Sequence, residues 1–227
     1  MSKVSSAKTR GRLTKKELKQ DKLVQYAYQI EAFYRQHQQW VIGAAIVVVA
    51  IVVGITLFRR INESSRLERS YQLTMAKMSY GSGRMDEARE GFQKVVNTSG
   101  GASAAEAKYF LGRVAFEQGD YPQAETQFSE YLKDFAGNEA LDVAAISGLA
   151  ATLEIQSKPD EAIEQYLKIV QKYPENAFSP QALMEASRLY LKTNQKDKAI
   201  DVLKNIQDKY AKSSVASQAK QKLASFE

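Results

Sequence analysis

Nucleophilic and general-base chemistry at neutral pH draws mainly on cysteine and histidine, and this 227-residue chain has no Cys and one His, His37. Thiolate metal sites and disulfides are excluded with the cysteines. Gly81, Ser82 and Gly83 form a glycine-rich turn without the Gly-Lys-Ser/Thr ending of a phosphate loop. The acid pairs Asp86/Glu87 and Asp160/Glu161 stand where helices begin, and the helix dipole accounts for them. No catalytic, cofactor-binding or metal site is expected, and the chain is not read as an enzyme. What remains is recognition chemistry. Lys77, Arg113 and Arg188 recur in register beside large apolar side chains, a pattern suited to an acidic or extended peptide.

The elements that must position these residues follow from a repeat. Ala88, Ala124, Ala162 and Ala199 lie 36, 38 and 37 residues apart. A turn former precedes each by five positions: Gly83, Gly119, Ser157 and Asn194. Large apolar residues follow at +4 (Phe92, Phe128, Tyr166, Leu203) and +7 (Val95, Tyr131, Ile169, Ile206), which is one face of a helix. The small alanine admits a neighbouring helix and the bulky residues fill the groove beside it. Each unit therefore reads as helix, tight turn, helix. The first helices are expected at 64–80, 103–118, 138–157 and 176–193, and the second at 84–97, 121–135, 159–173 and 196–210. A capping helix over 213–226 closes the series. Aligning the units puts Leu73, Lys77 and Tyr80, then Tyr109, Arg113 and Phe116, then Met184, Arg188 and Leu191 on the inner face of the first helices, either as a partner-binding groove or as ordinary solvated and packing positions. Unit three contributes only Ser147, Ala151 and Glu154 there, a bland set.

Ahead of the repeats, Val41–Phe58 is an uncharged apolar run followed at once by Arg59 and Arg60. Eighteen helical residues span about 27 Å, near the thickness of a bilayer's hydrocarbon core. The layout expected is a disordered basic tail (1–13), an amphipathic juxtamembrane helix (14–39), a transmembrane helix (40–58), a connector (59–68) and a repeat domain with its cap (69–227). Trp40, Arg59 and Arg60 are placed at the membrane interfaces. Residues 1–39 hold nine Lys/Arg against three acids, and the remainder of the chain is neutral, so the net charge of +6 belongs to the N-terminal piece. Counted over the whole tail, this asymmetry favours a cytoplasmic N-terminus, while close to the membrane Arg59, Arg60, Arg66 and Arg69 oppose it. Ala50 and Gly54 make a small-xxx-small pair, open to a partner helix or to lipid.

Leu111, Gly112, Phe116, Gly119, Tyr121, Ala124 and Phe128 strongly resemble the tetratricopeptide consensus. Units three and four follow it more loosely through Leu149, Ala150, Ala162, Tyr166 and Pro174, then Ala186, Tyr190 and Ala199. The resemblance covers about residues 69–226 and implies an all-α solenoid of about four helix pairs that binds proteins. With the basic start, the Phe33-Tyr34-Arg35 segment and the single span, the whole layout resembles the YfgM-type ancillary subunits of the bacterial Sec translocon. That resemblance implies a single-pass inner-membrane protein with its repeat domain in the periplasm. It implies translocon subunits, chaperones or extended client peptides as partners, contact with membrane lipids, and no nucleic acid, small-molecule substrate or cofactor. A structural subunit held in a membrane complex by its spanning helix is the alternative.

Overall fold

The computed structural model describes residues 15–226, so the expected basic tail 1–13 lies outside the described residues. Nine helices and no strand occur among them: α1 (Lys15–Gly81), α2 (Met85–Thr98), α3 (Gly101–Glu117), α4 (Tyr121–Asp134), α5 (Glu139–Ile155), α6 (Pro159–Lys172), α7 (Ser179–Lys192), α8 (Lys196–Lys209) and α9 (Ala216–Ala224). The chain divides into two compact units, 1–63 and 64–227.

In the first unit α1 leaves helical geometry at His37 (φ −117°, ψ 20°). Among the described residues no single helix is long and apolar enough to cross a membrane. The pair Gln25–Trp40 and Ile42–Leu57, bent by 61°, is long and apolar enough when taken together. The break at residue 41 shortens the apolar helix to 16 residues, about 24 Å. The side chains of Arg59 and Arg60 lie outside the described ones.

In the second unit each helix from α2 onward packs on the next in chain order, and α3 also touches α5, so the first helices of units two and three are neighbours. The four repeat alanines are fully buried, as are Phe92, Phe128, Val95, Tyr131, Ile169, Leu203 and Ile206. The expected turn formers all take left-handed backbone: Gly83 (φ 74°), Gly119 (φ 78°), Ser157 (φ 62°) and Asn194 (φ 60°). Each ends its helix in the same way. Gly119 N–H donates to Phe116 C=O (3.0 Å) and Asp120 N–H to Ala115 C=O (2.9 Å), the paired bonds of a Schellman motif. The other three turns repeat both bonds, for example Ser157 to Glu154 (3.0 Å) and Lys158 to Leu153 (2.9 Å).

Ser157 carries a Cβ in a conformation that costs an L-residue about 1–2 kcal/mol, while glycine's greater freedom when unfolded returns about 0.5–1 of that. Ser157→Gly is expected to stabilise the domain by about 0.5 kcal/mol. Asn194→Gly should lie near zero, because Asn tolerates this region. Denaturant midpoints of the two variants check the difference.

Two helices begin later than their apolar periodicity indicates. α7 starts at Ser179 rather than near 176 because Asn176 Oδ1 accepts from Phe178 N–H (2.9 Å) and Ser179 Oγ donates to Tyr173 C=O (2.6 Å), closing a turn first. α9 starts at Ala216 for a related reason: Ser213 N–H donates to Tyr210 C=O (2.8 Å), repeating 37 residues on the bond from Asn176 N–H to Tyr173 C=O (3.0 Å).

Candidate functional site

The face formed by α3 and α5 holds a half-open cavity of about 490 Å³. Tyr109, Arg113, Phe116 and Glu117 of α3 form one wall, and Phe178, just before α7, closes another side. Its α5 wall is Ala140, Ala144, Ser147 and Ala151, with the ring of Phe128 below. The unit that looks bland in sequence is thus the one that makes room, because small residues at i, i+4, i+7 and i+11 leave the space that α3's aromatics border.

Of the nine expected groove residues, Tyr109, Arg113 and Phe116 meet at this cavity. Leu73 is buried with Ala76, Ala88 and Phe92 in the core of the first unit of repeats. Met184 packs against Leu183, Leu203 and Ile206 toward the cap. Leu191 is half-buried on α7, away from the cavity lining.

The three aligned cations keep their register but not their freedom. Lys77 Nζ donates to Glu106 (2.6 Å) and lies 5.6 Å from the Phe110 ring. Arg113 donates to Glu117 (2.9 Å) and to Tyr109 Oη (3.3 Å), with its guanidinium 5.7 Å from the Tyr80 ring. Arg188 grips Glu154 with both terminal nitrogens (2.8 and 2.6 Å) and Glu185 with Nε (2.9 Å). Lys192 adds a further bond to Glu154 (3.3 Å). An acidic peptide therefore meets cations already answered by carboxylates.

Titration behaviour follows from these contacts. The Tyr80 hydroxyl bonds to Glu117, and burial together with that carboxylate pushes the phenol up to about 12. The Tyr80 bond, followed by Arg113, outweighs burial and holds Glu117 below the usual carboxylate range. Glu154 is held low chiefly by Arg188. These carboxylates stay ionised, as structural pairs do. Among the described residues no group of three or more His, Asp or Glu is placed to hold a metal ion.

Pairs one repeat apart form a polar ladder that single-residue inspection misses. Lys158 to Glu125 (3.0 Å), Asn176 to Glu139 (2.8 Å), Gln195 to Asp160 (3.1 Å) and Tyr210 Oη to Pro174 C=O (2.9 Å) all join neighbouring units. Their sequence separations of 33 to 37 residues are the signal that would have found them.

Residues 31–169 match the Tetratricopeptide repeat-like domain, and residues 154–223 match a Tetratricopeptide repeat. The chain belongs to the tetratricopeptide repeat family. Domains of this family are protein-interaction scaffolds, and this tetratricopeptide domain shares its fold with several solved structures. MamA is 23% identical, with 63% of this chain and 79% of that one covered and a TM-score of 0.53. A tetratricopeptide repeat protein from Parabacteroides merdae is 16% identical (67% and 57% covered, TM-score 0.57). The apo form of RapI is 15% identical (69% and 61% covered, TM-score 0.57). At these identities the likeness establishes the fold alone. No curated protein matches the chain.

Proposed function

We propose that this tetratricopeptide protein is a membrane-anchored scaffold of the bacterial inner membrane. Its anchor crosses once within 40–58, and its repeat domain works on the periplasmic side, assisting protein translocation or recruiting chaperones. The observation that carries the reading is the helix Ile42–Leu57. Ile46, Val49, Ile51, Val52 and Ile55, on all its sides, are exposed. A helix apolar all round is suited to lipid, since in water such a surface is an aggregation hazard. The family match begins at residue 31 and so takes in this helix together with the repeats. The basic tail supports a cytoplasmic N-terminus. An alkaline phosphatase fused after Glu227 is expected to be active, and activity only from a cytoplasmic reporter at that position would reverse the orientation.

In this reading the cavity between α3 and α5 receives an extended segment of a client or chaperone. Ala151 is half-buried on the cavity wall. Ala151→Phe is expected to fill the space and lower partner recovery from detergent extracts at least tenfold without loss of helicity. Unchanged recovery would reject this surface.

The alternative, a structural subunit held permanently in a membrane complex, has its own support. Leu67, Tyr71, Met75 and Met78 are exposed along one face of α1, at spacings of four, four and three. Quantitative mass spectrometry of purified complexes separates the two. Sec channel proteins favour the first reading, and one stoichiometric complex without them favours the second.

A further inference from the structure

The helix Gln25–Trp40 precedes the proposed anchor and is bent from it by 61°. It is not required to complete the crossing, because the 16-residue helix Ile42–Leu57 spans about 24 Å and local thinning of the bilayer accommodates the few ångströms that remain. It is also poorly built for crossing. It carries Glu31, Arg35 and five glutamines, and Arg35 donates to Glu31 (2.9 Å) on an exposed surface. Yet it exposes Tyr26, Ile30, Phe33 and Trp40, from 62% to 81% of each. At 100° per residue, Tyr26, Ile30, Phe33, Tyr34 and His37 share one face, and the Glu31–Arg35 pair lies well away from its centre. The Phe33 and His37 rings pack at 4.7 Å where the helix leaves regular geometry.

Resting on the membrane-anchor reading, we propose that Gln25–Trp40 lies in the bilayer interface with this aromatic face toward the acyl chains, on a leaflet of anionic lipid. Three features select that occupant. The face is continuous in the chain with the apolar run. The bend turns the helix toward the membrane plane when the run stands across it. The charge is complementary, since Lys15, Lys16, Lys19 and Lys22 immediately precede the helix in sequence. Aromatic side chains favour the headgroup level, and a cationic segment beside them gains from anionic lipid. The helix thereby sets how the anchor enters the bilayer.

The chain's only tryptophan is Trp40, so single-tryptophan variants of the full chain are simple to make. In a Trp40→Phe background, Ile30→Trp and Tyr28→Trp place the probe two residues apart, hence about 200° around the helix. Val49→Trp reports the anchor. The proteins are reconstituted in phosphatidylcholine vesicles with and without 30% phosphatidylglycerol, and quenching by lipids brominated near the headgroup or deep in the chain is read. The expected result is Val49→Trp quenched by the deep label, and Ile30→Trp quenched by the shallow label at least threefold more than Tyr28→Trp. Removing phosphatidylglycerol or raising salt should lower the Ile30→Trp signal at least twofold. Equal quenching of the two faces, or of neither while Val49→Trp is quenched, overturns the interfacial helix alone. Ile30→Trp quenching that ignores lipid charge overturns the anionic-lipid assignment. An unquenched Val49→Trp overturns the anchor reading itself.

Discussion

Phe128→Ala is expected to cost the repeat domain about 4 kcal/mol. Phe128 is fully buried on α4, and its ring lies between two helices of successive units. A Cβ built on Gly112 of α3 would come within 2.7 Å of the ring, and one built on Gly148 of α5 within 2.6 Å. The glycines therefore exist for the ring. A sign test follows. In most helix interiors Gly→Ala gains about 1 kcal/mol. Here Gly148→Ala forces the ring against Gly112, and overpacking costs about 1–3 kcal/mol, so the net change is expected to be a loss. In a Phe128→Leu background the clash is relieved and the same Gly148→Ala should stabilise. Urea midpoints of the four proteins, followed by circular dichroism, give the coupling. If Gly148→Ala stabilises both backgrounds, the interlock is not real. Because a solenoid's stability is carried by neighbour interfaces, Phe128→Ala should also broaden the transition as units two and three uncouple.

Phe128 was legible in sequence because it stands four residues after a repeat alanine, and the helix period alone places it. The same holds for the four turns, where Ser157 and Asn194 took left-handed backbone at positions expected of glycine. Those features are local, and local spacing is what a sequence displays. The cavity was not legible, since Ser147 and Ala151 read as a bland set until α3's aromatics border the same space. The cations show the limit most clearly. Lys77, Arg113 and Arg188 have the register that alignment indicates, but Glu106, Glu117 and Glu154 answer them, two of these from the adjacent unit. Whether a charge is free depends on what the next helix brings. The break near residue 41 falls where the amphipathic segment 14–39 meets the apolar run, a junction the sequence displays, although it does not give the 61° angle.

Asp142 gives the second large prediction, and nothing in its sequence position marks it, since an acid four residues after the Asn138 cap looks like ordinary dipole stabilisation. In the structure its side chain is fully buried. It accepts from Tyr131 Oη (2.9 Å), Gly137 N–H (3.2 Å), Lys172 Nζ (3.2 Å) and the Tyr173 hydroxyl, tying α4 and the end of α6 to α5. Burial by itself would raise this carboxyl, but the bonds from Tyr173, Tyr131, Gly137 and Lys172 outweigh it and hold it below its ordinary value. Tyr131 is correspondingly raised, by its own burial and by the carboxylate it serves. Asp142→Asn keeps the shape but removes the charge that four donors converge on, and is expected to cost about 3 kcal/mol at pH 7. Lys172→Met, which removes a half-exposed partner, should cost under about 1 kcal/mol. A carboxyl depressed in the folded state contributes stability above its unfolded value of about 3.9 and loses it as pH falls through the folded one. The gap between wild type and Asp142→Asn should therefore stay constant from pH 7 to 5 and close progressively below about pH 4. A gap that persists unchanged to pH 2 would mean that the site acts through shape, and that its charge contributes nothing.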